Sequence, residues 1–308
     1  GGVSGLEGKE AWDGKSPKFR IEEPRMKNWR RHDDIIVFGM TGSHFENERN
    51  LVKEINAQEM TVELQSMPTY GLFDEARVAF ENVFEELDRP GEYYIDKNTG
   101  VLYLYPVKDM QQVTVKIAVL NENFMIDAKD ASFVTFSGLT FELTKGSVFF
   151  IRGGRNCTVQ NCNMKNFGIW GVRLGDNALS TTNYIEAWNA GRFDEYLHEI
   201  PASTNGYNHK VTGCNFLNTG HHACRIASGN VGSREKGNMV FENNVIKHSG
   251  LIGSTYRSGL ELQGAGIMVK NNSFFYCLGQ AVNGNIIDTE ILNNEFCDSP
   301  CDMAEDTG

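Results

Sequence analysis

The chain has 308 residues, 40% of them apolar and 22% charged, with a formal net charge of −11. That is enough apolar chain to bury a large core as one elongated or two compact domains, and too much for a disordered segment. The negative balance argues against a nucleic-acid backbone as the main partner, and with no run of 18 apolar residues there is no membrane span.

The chain opens "GGVSGLEGKE" without Met. The start is therefore read as trimmed or incomplete, and the missing signal peptide says nothing about secretion. Residues 1–26 are expected to be the end of a preceding coil or a linker. Residues 27–110 read as a small β-barrel or β-sandwich built from short strands such as "DIIVFGM" and "MTVELQS". "FENVFEELDRPG" has the spacing of a short helix ended by Pro-Gly. "GEYYIDKNTGVLYLYP" is a hairpin, with "DKNTG" as turn chemistry between two alternating runs. Near "VTVKIAV", residues 113–119, a different architecture is expected to begin.

From there the sequence repeats. "FSGLTF", "VQNCNM", "VTGCNF", "FENNVI", "VKNNSF" and "ILNNEF" share one pattern: apolar, any, Gly or Asn, Leu/Cys/Asn, any, apolar. Their fourth positions are Leu139, Cys162, Cys214, Asn244, Asn272 and Asn294, spaced by 23, 52, 30, 28 and 22 residues. Four of these spacings match one coil of a parallel β-helix; the 52 is two coils or one coil with an insertion. Stacked coils put like residues above one another, so positions one and six should line the interior and the three Asn should form an amide ladder. A sandwich would not repeat one internal motif at this period.

A second strand recurs about ten residues after each ladder position, at "GVRL", "ACRI", "GLEL" and "QAVN". Arg173, Arg225 and Glu261 should then form one outward column, with Gln263, Asn283 and Arg152 in the next. The segment 175–208 interrupts the rhythm and is expected to protrude as a loop with a short helix. The seven cysteines show no CxxC pair, so buried free thiols are expected, with Cys297 and Cys301 the only close pair that could bridge.

"PGEYYIDKNTGVLYLYP" (90–106), "TYRSGLELQGAGIMVKNN" (255–272) and the closing "EDTG" resemble bacterial right-handed parallel β-helix glycoside hydrolases, similar to glycoside hydrolase families 120 and 141 and the β-helix α-galactosidases. The resemblance covers residues 27–308. It implies an all-β fold, a pectate-lyase-like solenoid over 111–308, truncated at its C-terminus, with the small barrel inserted near the N-terminus. Asn271 and Gly279 stand where such relatives often carry His.

Glycoside cleavage uses two carboxyl groups flanking the scissile bond, with environments that separate their pKa values. The resemblance makes Asp306 one partner and places the other beyond residue 308. Within the chain, Glu261, Glu305 and Asp302 are the remaining candidates, with a plain ion pair between Glu261 and Arg225 as the alternative for Glu261. Tyr256, Arg257, His221, Arg225, Gln263 and Asn283 are expected to contact substrate, and Trp170 is either packing or a sugar platform. The substrate implied is an oligo- or polysaccharide, at the cell surface, in the periplasm or outside a bacterial cell, with no cofactor and no metal. A polysaccharide lyase acting on an acidic polymer and a non-catalytic carbohydrate-binding β-helix are the alternatives.

Overall fold

A computed structural model describes residues 3–5, 16–32, 34–42, 47–72, 76–120, 123–176, 202–253 and 255–298. The chain divides into two compact units, Gly1–Lys116 and Ile117–Gly308.

The first unit is an antiparallel half-barrel. Its strands run in the order Val3–Gly5, Arg77–Glu81, Ile36–Gly39, Glu48–Asn56, Thr61–Leu64 and Lys18–Arg20. Ile36–Gly39 and Thr61–Leu64 alternate half-buried with buried residues, as strands with one covered face do. Phe19, Ile21, Met26, Trp29, Val37, Val62 and Leu64 fill the concave side. A register shift between Val52 and Glu54 bends the long strand so that the sheet curls. The described parts of residues 1–26 therefore do not end a preceding coil: Val3–Gly5 and Lys18–Arg20 are the two edges of this sheet, the latter hydrogen-bonded to Thr61–Leu64.

The hairpin forms as expected, Tyr93–Asp96 against Val101–Leu104. The Asp96 carboxylate accepts the Asn98 and Thr99 N–H groups and pairs with Arg31 at 2.7 Å. The expected helix is only a 3-10 turn, Phe84–Glu86. Strand Arg77–Glu81 takes the start of that window, Asn82 turns left-handed at φ 62°, and Pro90 closes it. What remains is anchored by side chains: Glu86 accepts from the Trp29 indole at 2.9 Å and pairs with Arg25.

The second unit is a right-handed parallel β-helix of three sheets. Sheet A contains Phe124–Lys129, Ser147–Arg152, Trp170–Leu174, His222–Ser228, Leu260–Ala265 and Val282–Ile287. Sheet B contains Thr135–Ser137, Thr158–Gln160, Lys210–Thr212, Met239–Glu242, Ile267–Lys270 and Glu290–Leu292. Sheet C contains Thr140–Thr144, Asn163–Phe167, Asn215–Thr219, Val245–Ser249, Ser273–Cys277 and Glu295–Cys297. The second unit begins at Ile117, within the stretch 113–119 expected for the change of architecture; that stretch carries no strand, and the first coil strand starts at Phe124.

The six motifs stack one per coil. Phe136, Val159, Val211, Phe241, Val269 and Ile291 are in register, as are Phe141, Met164, Phe216, Ile246, Phe274 and Phe296. In the middle four coils both columns are wholly buried, each side chain worth about 1.5–3 kcal/mol of burial. Position three, always Gly or Asn, is left-handed in every coil, from Gly138 at φ 68° to Asn293 at φ 53°. Gly and Asn are the residues that adopt this conformation at least cost, which explains the motif's restriction. The amide ladder forms: Asn244 and Asn272 each donate from Nδ2 to the next Asn Oδ1, at 3.0 and 2.9 Å.

The 52-residue step is one coil with an insertion, because Gln160 pairs with Thr212 and Trp170 with His222 on adjacent strands. The extra chain lies between sheet A and sheet B of that coil and ends in a one-turn helix, Ala202–Asn205. Cys157, Cys162, Cys214, Cys224 and Cys277 are buried free thiols. Burial pushes the Cys214 thiol up to about 11, which makes it packing rather than a nucleophile. Cys301 lies outside the described residues, and with it the bridge considered to Cys297.

Candidate functional site

The outer face of sheet A gathers the polar groups. Phe150, Arg173, Arg225, Glu261 and Asn283 are mutually in register on successive coils. Neighbouring strands sit ~4.8 Å apart, so each side chain meets the next. The column expected for Arg173, Arg225 and Glu261 is present. Asn283 belongs to that column rather than to the next one; Gln263 aligns instead with Asn285, since Glu261 pairs with Asn283.

Glu261 has three close polar neighbours. Its Oε2 lies 3.4 Å from Arg225 Nε and 3.3 Å from His222 Nε2, and its Oε1 accepts from Gln263 Nε2 at 3.3 Å. The Glu261 and Arg225 side chains are only 20% and 12% exposed, so this is not a solvated surface pair. A single missing partner here leaves a charge inside the protein, a costlier event than losing an exposed pair.

Nothing in the local sequence distinguishes His222 from its neighbour His221. Strict alternation from Cys224 and Ile226 would turn it inward. A bulge changes that: the Ala223 and Cys224 N–H groups both donate to Gly259 O, at 3.0 and 3.1 Å, and both residues face the core. His222 thereby meets Glu261. The signal was available as a column of small residues, Gly171, Ala223, Gly259 and Ala281, where two successive residues must pack inward.

Burial, followed by the positive charges of Arg257, Arg225 and His221, lowers the His222 pKa to about 3, against the Ser258 carbonyl, which raises it. The ring is thus neutral over the ordinary pH range: its one N–H, on Nδ1, donates to Ser258 O, and Nε2 packs against the Glu261 carboxylate without forming an ion pair. Nδ1 lies 3.0 Å from Ser258 O and 3.4 Å from Ser258 Oγ. His209 is a second buried neutral ring, taking the Cys157 N–H on Nδ1 and donating from Nε2 to Gly153 O. Its pKa is lowered by burial.

Both rings have folded pKa values below the unfolded value of about 6.5, so the unfolded chain binds more protons beneath that pH. Their stabilisation is complete above it and is lost as pH falls toward the folded values. Urea unfolding across that acid range should show stability falling with pH, and His222→Gln should flatten the slope. An unchanged slope would mean that His222 is protonated in the folded protein.

Arg257 and His221 come near this cluster: a Cβ on Gly253 would lie 3.7 Å from Arg257 Cγ and from His221 Nε2. Tyr256 is 53% exposed on the same corner, left-handed at φ 53°. Trp170 lies parallel to Phe124, centroids 6.5 Å apart, with the Arg173 guanidinium 4.9 Å over its ring. Arg173 pairs with Asp176 at 3.3 Å, and Arg152 with Asp127 at 3.0 Å. Asp306, Glu305 and Asp302 lie outside the described residues. Among the described residues no cluster of three or more His, Cys, Asp or Glu is arranged to hold a metal ion, and no helix is long and apolar enough to cross a membrane.

Comparison with solved structures finds a glycoside hydrolase at 8% identity and TM-score 0.50, over 96% of this chain and 75% of the other. That likeness is one of fold. A crystal structure of the tailspike protein gp49 from Pseudomonas phage LKA1 aligns at 12% identity with a TM-score of 0.22, over 96% of this chain and 46% of that one, too slight an overlap to bear on function. No family model and no curated protein sequence matches the chain.

Proposed function

We propose that the chain is a carbohydrate-active β-helix protein, a glycoside hydrolase whose outer sheet A face binds the glycan. The observation that carries this is the Glu261 carboxylate, held by Arg225 and Gln263 and packed against His222 on a strand beside aromatic and hydrogen-bonding side chains. A positioned acid on a strand is held more tightly than one on a loop, which proton transfer or attack at an anomeric centre requires. Asp306, and beside it Glu305, are proposed for the second carboxylate, on the sequence resemblance. The glycoside hydrolase of similar fold agrees with this reading. A polymeric substrate places the protein at the cell surface or outside the cell.

The test is turnover of a panel of plant and host oligosaccharides, following both reducing-end release and the ultraviolet absorbance of an unsaturated sugar. Hydrolysis should fall by at least ~100-fold in Glu261→Gln and in Asp306→Asn, the usual weight of a general acid or base. An unsaturated product would make the protein a lyase. Undiminished hydrolysis in Glu261→Gln would remove that residue from the pair.

A further inference from the structure

Three arginines converge on the outer face of sheet A, and only one of them, Arg225, pairs with the Glu261 carboxylate. Arg173 and Arg225 are direct neighbours on adjacent in-register strands, an arrangement that like charges disfavour. Arg152, one coil earlier, reaches the same patch: it and Arg173 both approach Asp176, at 3.9 and 3.3 Å. Both also lie over the Phe150 ring, 4.1 and 4.4 Å from its centroid.

Their counter-charges are weakly placed. Asp127 and Asp176 are 47% and 40% exposed, where water screens them, while the Arg173 and Arg152 side chains are 11% and 20% exposed. Among the described residues, only one of the Arg173 guanidinium N–H groups meets an acceptor, Asp176 Oδ1. The Trp170 indole N–H, under that guanidinium, is buried and has no acceptor among the described residues. A buried donor without an acceptor is expensive, and this one stands beside a guanidinium whose single acceptor is an exposed aspartate. The local potential is positive: burial, with Arg225 and Arg152, lowers the Arg173 pKa to about 10 although Asp176 and Glu261 act the other way.

We propose that the Arg152–Arg173–Arg225 patch, with the Trp170 indole N–H, is a subsite for the anionic group of an acidic sugar, a uronate carboxylate or a sulfate ester. The claim rests on the reading of this face as a glycan groove, and it names the class of glycan. The rings fix the guanidiniums in plane, so that their forks meet an anion's oxygens without further ordering, a match that a lysine ammonium could not make. The anion takes the donors that the exposed aspartates leave unused.

Calorimetric titration tests this without any turnover. The probes are trigalacturonate, its fully methyl-esterified neutral counterpart, and a sulfated galactan oligosaccharide. At least one acidic probe should bind about tenfold or more tightly than the neutral one, and which of the two does so identifies the anion. Arg173→Met should remove about tenfold of the affinity for the acidic probe and leave neutral binding within about twofold; Trp170→Phe, which keeps the ring and deletes the donor, should lose severalfold. If Arg173→Met does not fold, Arg152→Gln carries the same comparison. Equal binding of acidic and neutral probes, no binding of either acidic probe, or acidic binding unchanged in these variants overturns the subsite. Hydrolysis of neutral glycans with no acidic preference would overturn the subsite alone. Acidic binding with no hydrolysis would overturn the hydrolase alone.

Discussion

Replacing Asn272 by alanine is expected to cost the β-helix about 3–5 kcal/mol of unfolding free energy, since a lost bond that strands a buried polar group costs about 1–3 kcal/mol. The side chain is 1% exposed and makes four hydrogen bonds. Its Oδ1 accepts from the Asn244 N–H and Nδ2 at 2.9 and 3.0 Å; its Nδ2 donates to Phe241 O and Asn294 Oδ1 at 3.0 and 2.9 Å. Alanine leaves the Asn244 N–H and the Phe241 carbonyl without these partners in a dry interior. Asn294, half-buried at the end of the described ladder, should cost about 1 kcal/mol by the same change, because water can reach what is left. Urea unfolding followed by circular dichroism reads both. With two compact units, the effect belongs to the helix transition and needs separate fitting. An Asn272→Ala protein within 1 kcal/mol of the parent would mean that the ladder fixes register without adding stability.

Gly264→Ala should be as damaging by a different route. Gly264 has φ +103°, and a Cβ there would lie 1.8 Å from Ser228 O. The obstacle is backbone of the adjacent coil, paired in register with Gly264, so relief requires opening sheet A. Strain of this kind together with overpacking costs about 3–5 kcal/mol. Gly100→Ala is the matched control: φ is +71° but nothing lies within 4 Å, so only the conformational penalty of about 1 kcal/mol applies. Equal losses at the two sites would show that backbone conformation, and not the close approach, sets the cost.

The solenoid was legible in the sequence because its interior is periodic. Phe241 and Val269 recur where they do since each coil must bury the same side, and Asn244 and Asn272 repeat because a buried amide needs another above it. The outward column of Arg173, Arg225 and Glu261 followed from plain alternation. His222 was missed because alternation fails at Ala223–Cys224, where the backbone bulges against Gly259. The N-terminal limit was misplaced for another reason: Lys18–Arg20 pairs with Thr61–Leu64 across a long separation that no local pattern announces. The turn at Phe84–Glu86 shows tertiary anchoring outweighing helical spacing, its Glu86 being drawn to Trp29 and Arg25. The carboxylates named from resemblance, Asp306 and Glu305, rest on the sequence alone.

The corners of the coils differ in what they tolerate. Between sheets B and C every coil spends the same two residues, the left-handed Gly or Asn and the ladder position that follows it. Between sheets A and B the connection ranges from a single residue, Gly266, to the long excursion after Leu174, and between C and A it lengthens at Tyr256 and Arg257. All the variation in coil length thus borders one face, the outer side of sheet A, while the opposite corner keeps count. Such a chain can be remodelled by insertion along the rim of sheet A without renumbering the stack beneath it: that face is free to drift while the scaffold stays in phase.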